Sequence, residues 1–352
     1  MMEMKRFLRR AAALWTAAVL FSVAVGAEAA PSAKEVILID GHTSRVILSH
    51  NADTPALIAS TTKIMTGLLI AERCSLDEPV TAPPEAVGVE GSSLHLQAGE
   101  VRQVRELLYG LMLHSGNDAA VALAIHCAGS VEQFVALMNR RAESLGMTGT
   151  HFANPHGLDH EEHHGTARDL AILTAEAMKN DTFHTIVSTK TVTLGGRTYT
   201  NHNKLLWRYD GAVGVKTGYT KEAGRILVSC AERGNRRLIA VTIDDPNDWA
   251  DHASMLDHGF SQFTSRTIAQ AGTVLGVVPV AGGQRSACGV TVCEDVTVSL
   301  APGERVKLTV ELPPFSFAPM EVGAQAGWLQ VEVDGAAVLR VPLVWKDTVR
   351  EA

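Results

Sequence analysis

The stretch Glu35 to Ile39 is apolar and β-branched. Polar residues follow from Gly41 to Ser44, and a second apolar stretch runs from Arg45 to Leu48, which predicts a β-hairpin. Asn51 to Ala59, with Pro55, reads as a loop. From Ser60 the period changes: Ile64, Met65, Leu68, Leu69 and Ala71 recur at helical spacing. Leu107–Leu113 and Ala119–Cys127 predict two further helices, separated by His114-Ser115-Gly116-Asn117. Ser130 with Gln133 forms a capping box ahead of Phe134, Leu137 and Met138, and Gly146 suits the end of that helix. Thr166 with Asp169 predicts another cap before Leu170 to Met178. Strand-like patterning returns at Lys190–Leu194, Ile226–Cys230 and Leu238–Ile243, and a last helix is expected around Trp249 to Phe263.

Strands thus flank a helical middle without regular strand–helix alternation, which predicts an α+β domain on an antiparallel sheet. After Gln270 the texture shifts. Val274 to Val344 is valine-rich, punctuated by Gly and Pro, with short apolar runs at Val290–Val292, Val296–Leu300, Val306–Val310, Leu329–Val333 and Ala337–Val344. The expected organisation is a mixed domain over residues 30–270 and a small all-β domain over 271–352.

The N-terminus changes the picture. Lys5, Arg6, Arg9 and Arg10 precede an apolar stretch from Ala11 to Gly26, and Ala27-Glu28-Ala29 has the small-x-small pattern of a cleavage site. Residues 1–29 therefore read as a secretory signal cut after Ala29, the alternative being an uncleaved anchor. Either reading sends the bulk of the chain out of the cytoplasm. This segment is basic, so the remainder is more acidic than the whole chain's formal charge of −7. An acidic body excludes the basic footprint of nucleic-acid binding. Of the five cysteines, Cys74, Cys127 and Cys230 sit in apolar surroundings and read as small core residues, whereas Cys288 and Cys293 are near enough in sequence for a hairpin disulfide.

Three short motifs follow in order: Ser60-Thr61-Thr62-Lys63, Ser115-Gly116-Asn117 and Lys216-Thr217-Gly218. A Ser-x-x-Lys alone arises by chance about once in a chain of this length, so order and context carry the signal. The first opens a predicted helix, the second breaks two helices, and the third lies beside a predicted strand. A serine hydroxyl needs a base to become a nucleophile. Three residues along a helix, Lys63 shares a face with Ser60, and it serves as a base if burial or a neighbouring cation such as Lys216 lowers its pKa. A serine at a helix start also has unpaired backbone N–H groups nearby for a developing oxyanion. Read structurally, Ser60 is an N-cap, Lys63 is solvated, and the other two motifs are turns.

The three motifs together resemble those of penicillin-binding proteins and class A β-lactamases. The wider stretches Pro55 to Thr66, Ser115-Gly116-Asn117-Asp118-Ala119, Asn154-Pro155-His156-Gly157-Leu158-Asp159 and Val215 to Thr220 are similar to the low-molecular-mass D-alanyl-D-alanine carboxypeptidases of peptidase family S11. Asn247-Asp248-Trp249 with Asp251-His252 also fits that family, and the resemblance is strong over about residues 34–265. It implies a β-lactamase/D,D-peptidase-like fold, an antiparallel sheet covered by helices, followed by a β-rich domain. It implies that Ser60 is the acylated nucleophile, Lys63 its base and Ser115 a proton relay. Asn117, Lys216, Thr217, Gly218 and Tyr219 would bind substrate, and the backbone N–H groups of Ser60 and Tyr219 would form the oxyanion hole. The implied partners are peptidoglycan stem peptides and, as covalent inhibitors, β-lactams; no metal or organic cofactor is called for. Two departures stand out. Some members carry His where this chain has Tyr219, and some carry Arg where it has His202. Many members end in an amphipathic membrane helix, which this tail lacks, so a C-terminal anchor is not expected.

Two other functions remain open at this point. A β-lactamase needs a deacylating glutamate that acts through a water; the chain offers glutamates after the second motif, such as Glu161 and Glu162, but efficient deacylation is not called for by the three motifs. A non-catalytic penicillin-sensing or wall-binding protein would not need all three motifs. The cluster His156, His160, His163 and His164 suggests zinc only weakly, because no matching ligands occur elsewhere; a solvated loop is the plainer expectation.

Overall fold

Alternation along the first strand already sets the architecture. The computed structural model describes residues 31–352, so the expected signal at 1–29 lies outside the described residues. β1 (Glu35–Asp40) is buried along its whole length. Ile37 and Ile39 enter the larger hydrophobic core, while Val36 and Leu38 enter a smaller one on the other face. A strand buried on both sides needs a cover on each.

β1 pairs antiparallel with β2 (Val46–His50), completing the predicted hairpin. The other three strands come from much later: β3 (Ala212–Thr220), β4 (Gly224–Arg233) and β5 (Arg236–Ile243). The sheet order is β2-β1-β5-β4-β3, with every pair antiparallel, so β3 is an edge. The region between β2 and β3 supplies the helices α1 (Lys63–Arg73), α2 (Val104–Leu113), α3 (Asn117–Ala128), α4 (Val131–Ser144), α5 (Ala167–Ala177), α6 (Asp181–Ser188) and the short α7 (Leu205–Arg208). Both predicted caps form: Ser130 Oγ accepts from Gln133 N (3.2 Å) and Thr166 Oγ1 from Asp169 N (3.1 Å). α8 (Asp248–Gln262) covers the second face through Met255 and Leu256. Among the described residues no single helix is long and apolar enough to cross a membrane.

The valine-rich tail is all β. β6 (Thr264–Ala269) pairs with β9 (Val296–Leu300), and a six-stranded sheet has the order β10-β12-β13-β8-β7-β11. These strands are β7 (Gly276–Ala281), β8 (Ala287–Thr291), β10 (Val306–Glu311), β11 (Ser316–Phe317), β12 (Gln325–Val333) and β13 (Ala336–Trp345). Val278, Val290, Val298, Leu329, Val331 and Leu343 form a separate core, which also takes in Ala269. Polar contacts join the tail to the first hairpin. Arg45 pairs with Glu304, donates to Ser299 O (2.6 Å) and stacks over Phe263, while Ser299 Oγ donates to Asp40.

The cysteines differ from expectation. All five are free thiols. Cys288 is buried and donates weakly to Gly289 O and Asp347 O, while Cys293 is exposed, so the two are not joined. Cys230 is a core residue, but Cys74 and Cys127 are only half-buried.

Candidate active site

The chain reaches Ser60 by a tight turn. Ala59 has a positive φ of 42°, and Ala59–Thr62 form one 3-10 turn running directly into α1. Ser60 therefore sits one turn ahead of the α-helix, and it is not an N-cap, since no side-chain capping bond exists there. Lys63, the first residue of α1, is fully buried. Its Nζ donates to Ser60 Oγ (2.8 Å), Asn117 Oδ1 (2.7 Å) and the His156 carbonyl (2.6 Å). Burial holds the Lys63 pKa well below that of an ordinary lysine, and repulsion from Lys216 adds to this against a smaller opposing pull from Asp118.

The second motif enters at the start of α3. Ser115 has φ 66° and is nearly buried, and Gly116 follows. Asn117 is the first helical residue; its Nδ2 donates to Glu90 O (2.5 Å) while its Oδ1 faces Lys63. The next residue, Asp118, explains the rigidity. Its carboxylate accepts from Leu94 N, Leu96 N, Ala119 N and Ser93 Oγ at 2.7–3.1 Å, tying the 92–96 loop to the helix. A carboxylate in a first helical turn is also favoured by the helix dipole.

The third motif lies inside β3, not beside a strand. Lys216 is fully buried, and burial lowers its pKa to about 7. Gly218 lies close against the serine turn. A Cβ there would lie 3.4 Å from Ser60 N and 3.3 Å from Ala59 Cβ, so the edge strand passes directly against the serine turn. Tyr219 is exposed.

Ser60, Ser115, Thr217, Gly218 and Tyr219 line one open cleft of about 340 Å³ together with Ser92, His202, Lys204, Arg225, Ile226, Asp248 and Trp249. Another cleft of equal volume lies against the tail near His42, Cys293 and Leu339, but it has no serine–lysine pair. Of the eight residues singled out from the sequence, five lie on the walls of the first cleft, Lys63 and Asn117 stand immediately behind Ser60, and Lys216 is buried in β3 with its Nζ donating to Thr217 O (3.0 Å).

Several supports surround the serine; of these, sequence reasoning expected the structural turn at Asn154 to Asp159 and missed the others. The turn around Asn154 backs the serine: its Oδ1 accepts from Gly157 N (2.7 Å) and its Nδ2 donates to Leu158 O (2.9 Å). Gly157 has φ 90°, and a Cβ there would fall 1.8 Å from Ala59 O, a space no side chain shares. His163, from the suspected histidine cluster, is buried. Its Nδ1 accepts from Ala153 N (3.0 Å), so the proton sits on Nε2 and donates to Thr62 Oγ1 (2.7 Å). Thr62 Oγ1 in turn donates to Ala59 O (2.8 Å), and burial keeps His163 neutral with a pKa of about 4. His156 is held neutral as well, near 3, by burial and by Lys63. Both histidines therefore brace the serine turn, and among the described residues no His, Cys, Asp or Glu group is arranged to hold a metal ion. On the opposite wall, buried Asp248 accepts from Arg225 Nη2 with both oxygens (2.8 and 2.7 Å), and Arg225 stacks over Trp249. His202 is held neutral, near 4, by burial and then by Lys216 and His114.

A family model described as D-alanyl-D-alanine carboxypeptidase (peptidase S11) matches residues 23–247. The chain belongs to this family. The model for the penicillin-binding protein 5 C-terminal domain matches residues 263–351. The D-alanyl-D-alanine carboxypeptidase DacF of Bacillus subtilis is 34% identical over 341 residues, covering 92% of this chain and 88% of that protein. DacC of Escherichia coli, also a D-alanyl-D-alanine carboxypeptidase, is 32% identical over 345 residues, covering 92% and 86%. Among solved structures, penicillin-binding protein 5 from Haemophilus influenzae superposes with a TM-score of 0.76 at 29% identity, covering 91% of this chain and 98% of that one. The S11 fold is thus the one that the motifs and their wider stretches implied, and the β-rich tail the one that the valine-rich runs predicted.

Proposed function

We propose that this chain is a serine-type D-Ala-D-Ala carboxypeptidase that removes the terminal D-alanine of peptidoglycan stem peptides through an acyl-enzyme on Ser60. The observation that carries this reading is the Lys63 ammonium, buried, depressed in pKa and 2.8 Å from Ser60 Oγ. With three acceptors around Nζ, the resting lysine is in place as a donor; losing one proton leaves an amine lone pair for the serine hydroxyl.

In this reaction Ser60 Oγ attacks the carbonyl between the two terminal D-alanines as its proton passes to Lys63. The oxyanion develops against the N–H groups of Ser60 and Tyr219, on the turn and edge strand that Gly218 brings together. The terminal carboxylate is held by Lys216 and Thr217, and Asn117 steadies the substrate backbone. Collapse expels D-alanine, whose amine is protonated from Lys63 by way of Ser115. Water then hydrolyses the acyl-enzyme. A β-lactam acylates the same serine.

The work is extracytoplasmic, where peptidoglycan lies. Export by residues 1–29 with cleavage after Ala29 is part of the proposal, as is the division into a catalytic part (30–270) and a β-rich part (271–352), with β6 carrying the chain between them. The test is incubation with a pentapeptide ending in D-Ala-D-Ala and measurement of free D-alanine. Release from the wild type that disappears in Ser60→Ala is the expected result. No release from folded wild-type protein would reject the activity.

A further inference from the structure

The helices that bear the first two motifs each carry a cysteine at the opposite end. α1 begins at Lys63 and ends at Arg73, with Cys74 as its C-cap. α3 begins at Asn117 and has Cys127 in its last turn. The two helices pack on one another in the main core, and both cysteines lie half-buried at its margin.

A single carboxylate fixes the two cysteines' neighbours. Glu78 Oε1 accepts from the backbone N–H of Ser75, the residue after Cys74 (3.0 Å). Its other oxygen, Oε2, lies 3.0 Å from Nε2 of His126, the residue before Cys127. Glu78 thus ties together the chain segments carrying the two cysteines, and a hydrogen bond between the two side chains is the largest influence on the ionisation of each. Contact with Cys74 brings the Cys127 pKa down to about 7, with Arg73 adding to the lowering and burial opposing it. Cys74 is pushed up, first by Cys127 and then by burial. None of these groups reaches the cleft.

We infer that Cys74 and Cys127 form an intramolecular disulfide that joins the far ends of α1 and α3. The pairing needs an oxidant, and the class that fits is a thiol-exchanging disulfide, of an oxidoreductase or a small molecule, in the extracytoplasmic space of the proposed function. Cys127 thiolate attacks the oxidant's disulfide and expels one thiolate. The Cys74 sulfur then attacks Cys127 Sγ, expels the second thiolate and gives up its proton. Two protein thiols and one disulfide become one protein disulfide and two small thiols.

The linkage constrains the unfolded chain and so stabilises the fold. It also leaves unpaired the three cysteines that have no partner thiol: Cys230 in the sheet, Cys288 in the tail core and exposed Cys293.

The experiment is peptide mapping of the protein isolated without reductant, and of protein reduced and then exposed to glutathione disulfide. Free thiols are alkylated before digestion. The expected result is one cross-linked pair containing Cys74 and Cys127, with Cys288 and Cys293 alkylated. Reductant should lower the melting temperature of the wild type by roughly 5–10 °C and leave that of a Cys74→Ser/Cys127→Ser variant unmoved. In Cys74→Ser alone, Cys127 should accumulate as a mixed disulfide with glutathione. Full alkylation of Cys74 and Cys127 after oxidation, or a Cys288–Cys293 linkage in their place, would overturn the inference. The map is read without substrate, so its outcome is separate from that of the D-alanine assay.

Discussion

The helical body and the β-rich tail treat polar and apolar groups in opposite ways. The body buries two lysines, Lys63 and Lys216, behind a cleft and holds Ala59 and Ser115 at positive φ around it. The tail buries no charged side chain, yet leaves Val277, Leu308, Val310, Phe315, Phe317 and Val322 exposed. Buried lysines destabilise, and they depress their own pKa values; left-handed non-glycine residues add strain. The body places both buried lysines and two of its left-handed residues where the three motifs meet, although Ser44, Asn51, His95 and Asp244 also have positive φ elsewhere in it. The tail carries no such concentration, and none of its residues lines the cleft that holds Ser60.

Substitutions break this contrast most sharply at Ser60. Ser60→Ala should lower D-alanine release by at least about 10³-fold and abolish covalent labelling by penicillin, with the fold intact by circular dichroism. Lys63→Met should be nearly as inactive, but its melting temperature should hold or rise, because a buried charge is replaced by an apolar chain of similar length. A melting temperature that falls by many degrees would mean the lysine is structural first. The tail counterpart, Lys307→Met, should change neither property, since its pair with Glu332 is exposed.

The two regions should also respond differently at glycine. Gly157→Ala forces a Cβ into Ala59 O and displaces the serine turn, so activity should drop more than 10-fold and stability by about 2–4 kcal/mol in urea unfolding. Gly335→Ala in the tail has the same backbone sign, φ 85°, but open space, so only the strain of about 1 kcal/mol is expected. The smallest effect is in pH. Lys216 is cationic below its folded pKa of about 7, and a bound carboxylate favours that form. KM should therefore rise as the pH climbs through and beyond 7, while kcat gains from a deprotonated Lys63. A KM flat from pH 6 to 9 would remove Lys216 from carboxylate binding.

What was legible in the sequence follows contact range. Ser60 and Lys63 are three residues apart, so local geometry alone brings them together, and the caps at Ser130 and Thr166 were readable for the same reason. The motifs' order and context pointed to a shared site, although its distances required the fold. His163 was misplaced in a suspected solvated cluster because its partner, Thr62, is 101 residues away. Arg225 and Asp248 come together only when β4 and α8 pack, and nothing near either residue announces the pair. The tail strands were visible as valine-rich runs, but their sheet order, with β8 lying between β13 and β7, depends on long-range pairing that patterning does not encode. Cys288 and Cys293 illustrate the opposite error, in which nearness along the chain stands in for nearness in space.

The helices α1 and α3 can be regarded as levers of 11 and 12 residues, or about 16–18 Å at the helical rise. Catalytic groups tolerate about 0.5 Å of misplacement. Over such a length that tolerance corresponds to a tilt of about 2°. The angle between two helices, set by side chains that never touch substrate, thus determines whether Lys63 still meets Asn117, and mutations with small effects on stability in that packing should appear first as losses in kcat.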